Sequence, residues 1–186
     1  MFQKLIIFLV LLPVTNFSQT KFSSAKYNYS FIIPDGWHVK DKIFNPEVDA
    51  KIVDGKGNSF IVSIKTFPTS TKLTVKQQME STTNQEMEEQ FNAVYGTAKV
   101  IKRGSVFVDL KECYYIHLLT PFQDGLQLYH KNFYYSEGYR ILSIDACSIE
   151  TYLDETTPAF ALMIDNFQIF ESKKQKQISS IKNIFD

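Results

Sequence analysis

The chain has 186 residues, and its 20 basic side chains balance its 20 acidic ones. Such a balance leaves no basic stripe to neutralise a run of phosphates, which sets nucleic acid aside as a partner. Removing residues 1–18 as a leader leaves 168 residues, the length of one domain, with a net charge of −1 once Lys4 has gone.

That leader is the first predicted element. Lys4, the eight-residue apolar run Leu5 to Leu12, Pro13 and the small, polar stretch ending Asn16-Phe17-Ser18-Gln19 have the three-part layout of a secretory signal peptide. Eight apolar residues fall well short of the roughly 20 that a membrane-spanning helix needs. Cleavage is expected after Ser18, and because no cysteine precedes Cys113, no thiol is available there for a lipid anchor. The expected destination is the periplasm or the exterior, with no transmembrane segment in the mature chain.

A short lead-in, 19–26, precedes the domain. Tyr27 to Ile33 is rich in aromatic and β-branched residues and reads as a strand, closed by the turn Pro34-Asp35-Gly36 and followed by Trp37, the sole tryptophan. Lys51 to Val53 and Phe60 to Lys65 make a hairpin around Asp54-Gly55-Lys56-Gly57-Asn58. From Thr74 to about Phe91 the spacing predicts one long helix, with Thr74 and Gln77 as its capping box and Val75, Met79, Met87, Phe91 and Val94 near one face; Gly96 stops it.

Lys99 to Ala146 then reads as a meander: Lys99 to Lys102, Val106 to Leu110 (the first two open to being one bent strand), Cys113 to Leu119, Leu126 to Tyr135 and Tyr139 to Ala146. Without helices between them, neighbouring strands must be antiparallel. Thr157-Pro158 fits an N-cap and first helical position for a short helix over Ala159 to Asp165, and Phe167 to Phe170 is a last strand. The tail, 171–186, carries four lysines beside Ile178, Ile181 and Phe185, and is expected to be a terminal extension or an amphipathic helix.

Cys113 and Cys147 would meet an oxidising compartment, which raises the question of a disulfide. Turns at Asp124-Gly125 and Glu137-Gly138 place Cys113 opposite about Tyr135 and Cys147 opposite about Leu128. Seven residues at ~3.3 Å each put those rows about 23 Å apart, beyond the ~7 Å Cα separation a disulfide spans. Two free, buried thiols are expected.

Candidate chemistry is sparse. Of the histidines, His38, His117 and His130, the last two share a sheet face if the Asp124-Gly125 loop has two residues, with Asp145 as a further ligand for a metal; a one-residue change in the loop separates them. The favoured reading is ordinary strand histidines, with no metal site and no cofactor. No Gly-x-Ser-x-Gly elbow is present, and the Ser-x-x-Lys matches at Ser23 and Ser179 lie near the ends without companion motifs. The glycine-bearing loop at Asp54 lacks the acidic ligands of a calcium loop. The aromatic-rich strands, with Tyr114, Tyr115, Tyr129, Phe133, Tyr134, Tyr135 and Tyr139, are read as packing, with a ligand groove or partner surface as the alternative.

The order of elements resembles one family. Tyr29-Ser30-Phe31-Ile32-Ile33-Pro34-Asp35-Gly36-Trp37, Asn58 to Ile64, the helix after it, the meander ending Tyr139-Arg140-Ile141-Leu142-Ser143 and the close through Phe167-Gln168-Ile169-Phe170 are similar to PsbP-like domains. That superfamily includes bacterial exported proteins of the DcrB type and the Ran-binding Mog proteins. The resemblance covers residues 27–170 and implies an α+β fold, an α/β/α sandwich with a central antiparallel sheet flanked by helices. It implies a binding or assembly module rather than an enzyme, and together with the export signal and the lack of a catalytic constellation it makes a protein partner in the cell envelope the expectation. The alternatives are a carrier for a small apolar or aromatic ligand, held between the tyrosine-rich sheet and the Thr74 helix, and an enzyme of unrecognised class. Fold alone does not establish function.

Overall fold

Alternating apolar and polar side chains from Lys99 to Ile149 put successive residues on opposite faces, and the stretch folds as four consecutive antiparallel strands. These are β6 (Lys99–Val108), β7 (Lys111–Pro121), β8 (Gln127–Glu137) and β9 (Arg140–Ile149). In the computed structural model, which describes residues 20–67 and 75–169, they join β3 (His38–Val39), β4 (Val48–Val53) and β5 (Ser59–Thr66) in a seven-stranded sheet of order β3-β4-β5-β9-β8-β7-β6. A second sheet has β2 (Tyr29–Ile33) between β1 (Thr20–Ser24) and β10 (Gln168–Ile169). All pairings are antiparallel, and the fold class is α+β. The leader, Thr74, Phe170 and the tail lie outside the described residues.

The large sheet is covered differently on its two faces. One face packs α1 (Val75–Ser81) and α2 (Asn84–Tyr95) through Val75, Met87, Val100, Tyr114, Ile116 and Leu118. The other packs α3 (Leu153–Asp165) together with the small sheet, so that Tyr29, Phe31, Phe60, Ile144, Phe160, Met163 and Phe167 form the main core. Phe167 stacks on Tyr29 and Phe31 at 5.3 and 5.7 Å between centroids, and Trp37 meets Phe160 edge-on at 5.5 Å. The lead-in, 19–26, therefore holds a strand that pairs with β2 along its whole length.

Two expectations are corrected, and an alternative left open is decided. The long helix is two helices, because Ser81, Thr82 and Thr83 offer hydroxyls that compete with the backbone. Ser81 and Thr82 donate back to the Gln78 carbonyl, and the capping box is Thr83 with Glu86: Thr83 Oγ1 accepts from the Glu86 amide and Glu86 Oε2 from the Thr83 amide. Arg103 then donates to the Met79 and Thr82 carbonyls, at 2.8 and 2.6 Å, satisfying the freed end of α1. The last helix begins at Leu153, four positions before Thr157, with Asp154 and Glu155 in its first turn and Pro158 inside it. The predicted strands Lys99–Lys102 and Val106–Leu110 are one bent strand, β6, with a bulge at Ile101.

Register is the fourth difference. Pro121 pairs with Gln127, so the first hairpin loop spans 122–126, and Glu137 pairs with Arg140, so the second turn is Gly138-Tyr139. Cys147 sits opposite His130 rather than Leu128. Both cysteines are free and buried.

Candidate binding surface

The register fixes which side chains meet. Leu118 pairs with His130 and His117 with Lys131, so His117 and His130 point to opposite faces of the sheet. The longer loop is the cause, and a metal shared by these two histidines is geometrically ruled out. His38 lies exposed on the edge strand β3. Among the described residues, no group of three or more His, Cys, Asp or Glu is placed to hold a metal ion.

His130 does meet Asp145, on the face beneath α2. Its Nδ1 lies 3.2 Å from Asp145 Oδ1, its Nε2 lies 3.0 Å from Thr120 Oγ1 and 3.9 Å from Cys147 Sγ, and the Tyr95 ring covers it at 5.0 Å. A carboxylate only accepts, so Nδ1 carries the proton and Nε2 accepts from the Thr120 hydroxyl. Acid, imidazole and thiol stand in the order of a cysteine hydrolase, but the groups are closed off: Thr120, His130 and Cys147 are 2, 3 and 7% exposed. Burial first, and then the Asp145 carboxylate, push the Cys147 thiol up to about 12. At neutral pH it holds its proton and is no nucleophile. Burial and Asp145 likewise push Tyr95 up to about 12. The cluster ties β7, β8 and β9 together under the end of α2.

The opposite face is different. Alongside the area covered by α3 and the small sheet, three rows run across β6, β7 and β8: Lys99-Leu119-Tyr129, Lys102-His117-Lys131 and Gly104-Tyr115-Phe133, the last of which reaches the main core through Phe133. Tyr115, His117 and Tyr129 are half-buried and belong to neither core. The Tyr129 hydroxyl and His117 Nδ1 are 3.0 Å apart, and the His117 ring lies 5.1 Å from Tyr115 and 5.7 Å from Tyr129. Lys102 Nζ sits 5.7 Å from the Tyr115 ring centre and Lys131 Nζ 5.9 Å from that of Tyr129. Gly104 makes room for this layer, since a Cβ there would stand 3.2 Å from the Tyr115 ring. No carboxylate occurs in the three rows. Burial, then Lys131 and Lys102, lower His117 to about 4, so it is neutral at pH 7 beside two ammonium groups.

No protein-family model matches the sequence, and no curated protein matches it. Solved structures do. The solution structure of cyanobacterial PsbP (CyanoP) from Synechocystis sp. PCC 6803 superposes with a TM-score of 0.63 at 18% identity, covering 87% of this chain and 99% of that one. The fold is PsbP-like. A PsbP-like arrangement is also similar to LpqN, involved in cell envelope biogenesis of Mycobacterium tuberculosis, with a TM-score of 0.53 at 7% identity over 84% of this chain and 88% of that one. A Bacteroides thetaiotaomicron VPI-5482 protein matches with a TM-score of 0.56 at 10% identity; the match covers 83% of this chain and about half, 49%, of that protein.

Within the PsbP-like frame, the space between the sheet and α1–α2 is filled by the second core. A recess of 190 Å³ at its margin, lined in part by Phe67, Gln78 and Tyr139, is below the roughly 300 Å³ of a small-molecule site. The tyrosine count pointed to the meander, but the pairing of lysines over rings rests on register, and the signal that was missed is Gly104, a glycine inside an otherwise bulky strand. Among the described residues no helix is long and apolar enough to cross a membrane.

Proposed function

We propose that this chain is an exported, non-catalytic binding module of PsbP-like type, periplasmic or secreted, which docks on a protein of the cell envelope through the three rows across β6, β7 and β8. One observation carries the reading: three rows of one sheet face are layered with Tyr115, His117 and Tyr129, flanked by Lys99, Lys102 and Lys131, with no carboxylate in the same rows. Aromatic rings with lysines at their rim supply the contact area and charge that a partner surface bearing carboxylates recognises. The buried His130 cluster, with its protonated thiol, supports the absence of catalysis.

Cross-linking in the native envelope, followed by affinity purification, tests the reading. Wild-type protein is expected to recover the same partner repeatedly, and a Lys102→Glu/Lys131→Glu variant with an unchanged melting point is expected to lose it. A partner retained by the charge-reversed variant, or none recovered by the wild type, overturns docking through this face.

A further inference from the structure

The rows across β6–β8 continue, past Lys99, Leu119 and Tyr129, into a cleft of 610 Å³ between the start of β6 and the β7–β8 hairpin loop. Leu119, Pro121, Phe122 and Leu126 make most of its wall, and Lys99 is the one ionisable group lining it among the described residues. Its volume lies within the range of small-molecule sites, about 300–1,000 Å³.

The cleft is held open by its own backbone. The Phe122 amide donates to the Leu126 carbonyl at 2.8 Å, and the Leu126 amide to the Gln123 carbonyl at 3.1 Å. Asp124 and Gly125 take the positive φ values, 57° and 77°, that close so tight a loop. Phe122 and Leu126 are thereby kept 39 and 38% exposed, facing the opening rather than folded inward. Apolar walls that cannot collapse on one another leave surface for an apolar body to cover. A lone lysine at the margin, with Lys102 and Lys131 farther along the same face, selects an anion as its head.

From this geometry we infer that the cleft binds a single-chain anionic amphiphile, its hydrocarbon body against Leu119, Pro121, Phe122 and Leu126 and its carboxylate on Lys99. This site goes beyond the docking reading and needs no protein partner.

Backbone and side-chain NMR titration of the full chain with decanoate, below its micelle concentration, tests the site. Saturable shifts are expected at Lys99, Leu119, Phe122 and Leu126, with affinity rising about threefold per added methylene from octanoate to decanoate. Lys99→Gln is expected to weaken decanoate about tenfold while leaving decanol unchanged. Leu126→Ser, at a part-exposed position, is expected to weaken both. No saturable shift in these residues overturns the site. So does decyltrimethylammonium binding as tightly as decanoate, which would mean undirected apolar adsorption. Binding to anionic phosphatidylglycerol vesicles without binding decanoate monomers would place the chemistry on a lipid surface and overturn it equally.

Discussion

Asn58 shows how much one buried amide organises. Fully buried, it accepts from the Ile149 amide at 2.9 Å and the Ser148 hydroxyl at 3.1 Å, and donates to Asp54 Oδ2 at 2.6 Å, linking the β4–β5 turn to the end of β9. Asn58→Ala leaves the buried Ile149 N–H without its acceptor and Asp54 Oδ2 without the amide that donates to it, and is expected to cost about 3 kcal/mol, read by urea denaturation. His117 gives a pH signature. Its folded value of about 4 is below the ordinary 6.5, so the unfolded chain binds a proton that the folded one refuses as pH falls through that window. The stability it contributes is complete above about pH 6.5 and is lost toward pH 4. Wild type should therefore lose stability relative to His117→Gln between those values, and a constant difference in melting point across them would refute the assignment. Neither role was legible in the sequence: Asn58 read as a turn residue, and the environment of His117 depends on a loop whose length, five residues or two, decides its face.

Among the elements, strands were easier to read than helix ends. Alternation along β5, β7, β8 and β9 identified each strand directly, because packing on both faces reinforces it. The helix between β5 and β6 was found but not its break, since helix formers on both sides of Ser81-Thr82-Thr83-Asn84 carry the same apolar spacing, and the Thr83-x-x-Glu86 box reads as a cap only once Arg103 is seen closing the turn before it. Thr83→Ala is expected to cost about 1 kcal/mol, measured by thermal melting, and Arg103→Met to increase amide exchange in α1 selectively. Exchange that rises equally across the sheet would show that α1 is not held by this side chain. Pro158 misled for a related reason: proline favours a first turn, yet the helix starts earlier, where Thr156 donates to the Tyr152 carbonyl at 3.0 Å and to Ser148 Oγ at 2.9 Å.

At the scale of the molecule, the α+β class and antiparallel sheet were legible because the chain has too few helices to connect parallel strands. The small second sheet was not. Its strands are remote in sequence: Ser30 of β2 pairs with Gln168 of β10, 138 positions away. Phe167, 1% exposed between Tyr29 and Phe31, is the hinge of that arrangement. Phe167→Ala is expected to destabilise by about 3–5 kcal/mol in chemical denaturation, and a loss below 1 kcal/mol would remove its central place in the core.

The position of β2 between β1 and β10 also sets a timetable. A chain emerging from its amino terminus can pair β2 on one side at once and stack Phe22 on Tyr29 and Phe31, but the other edge stays bare, and those two rings lack Phe167, until residues 167–169 arrive. The main core therefore closes last, after nearly all of the domain has been synthesised. Under the export proposed above, such a delay would keep the chain competent for passage through a translocation pore until its final strand has followed the first.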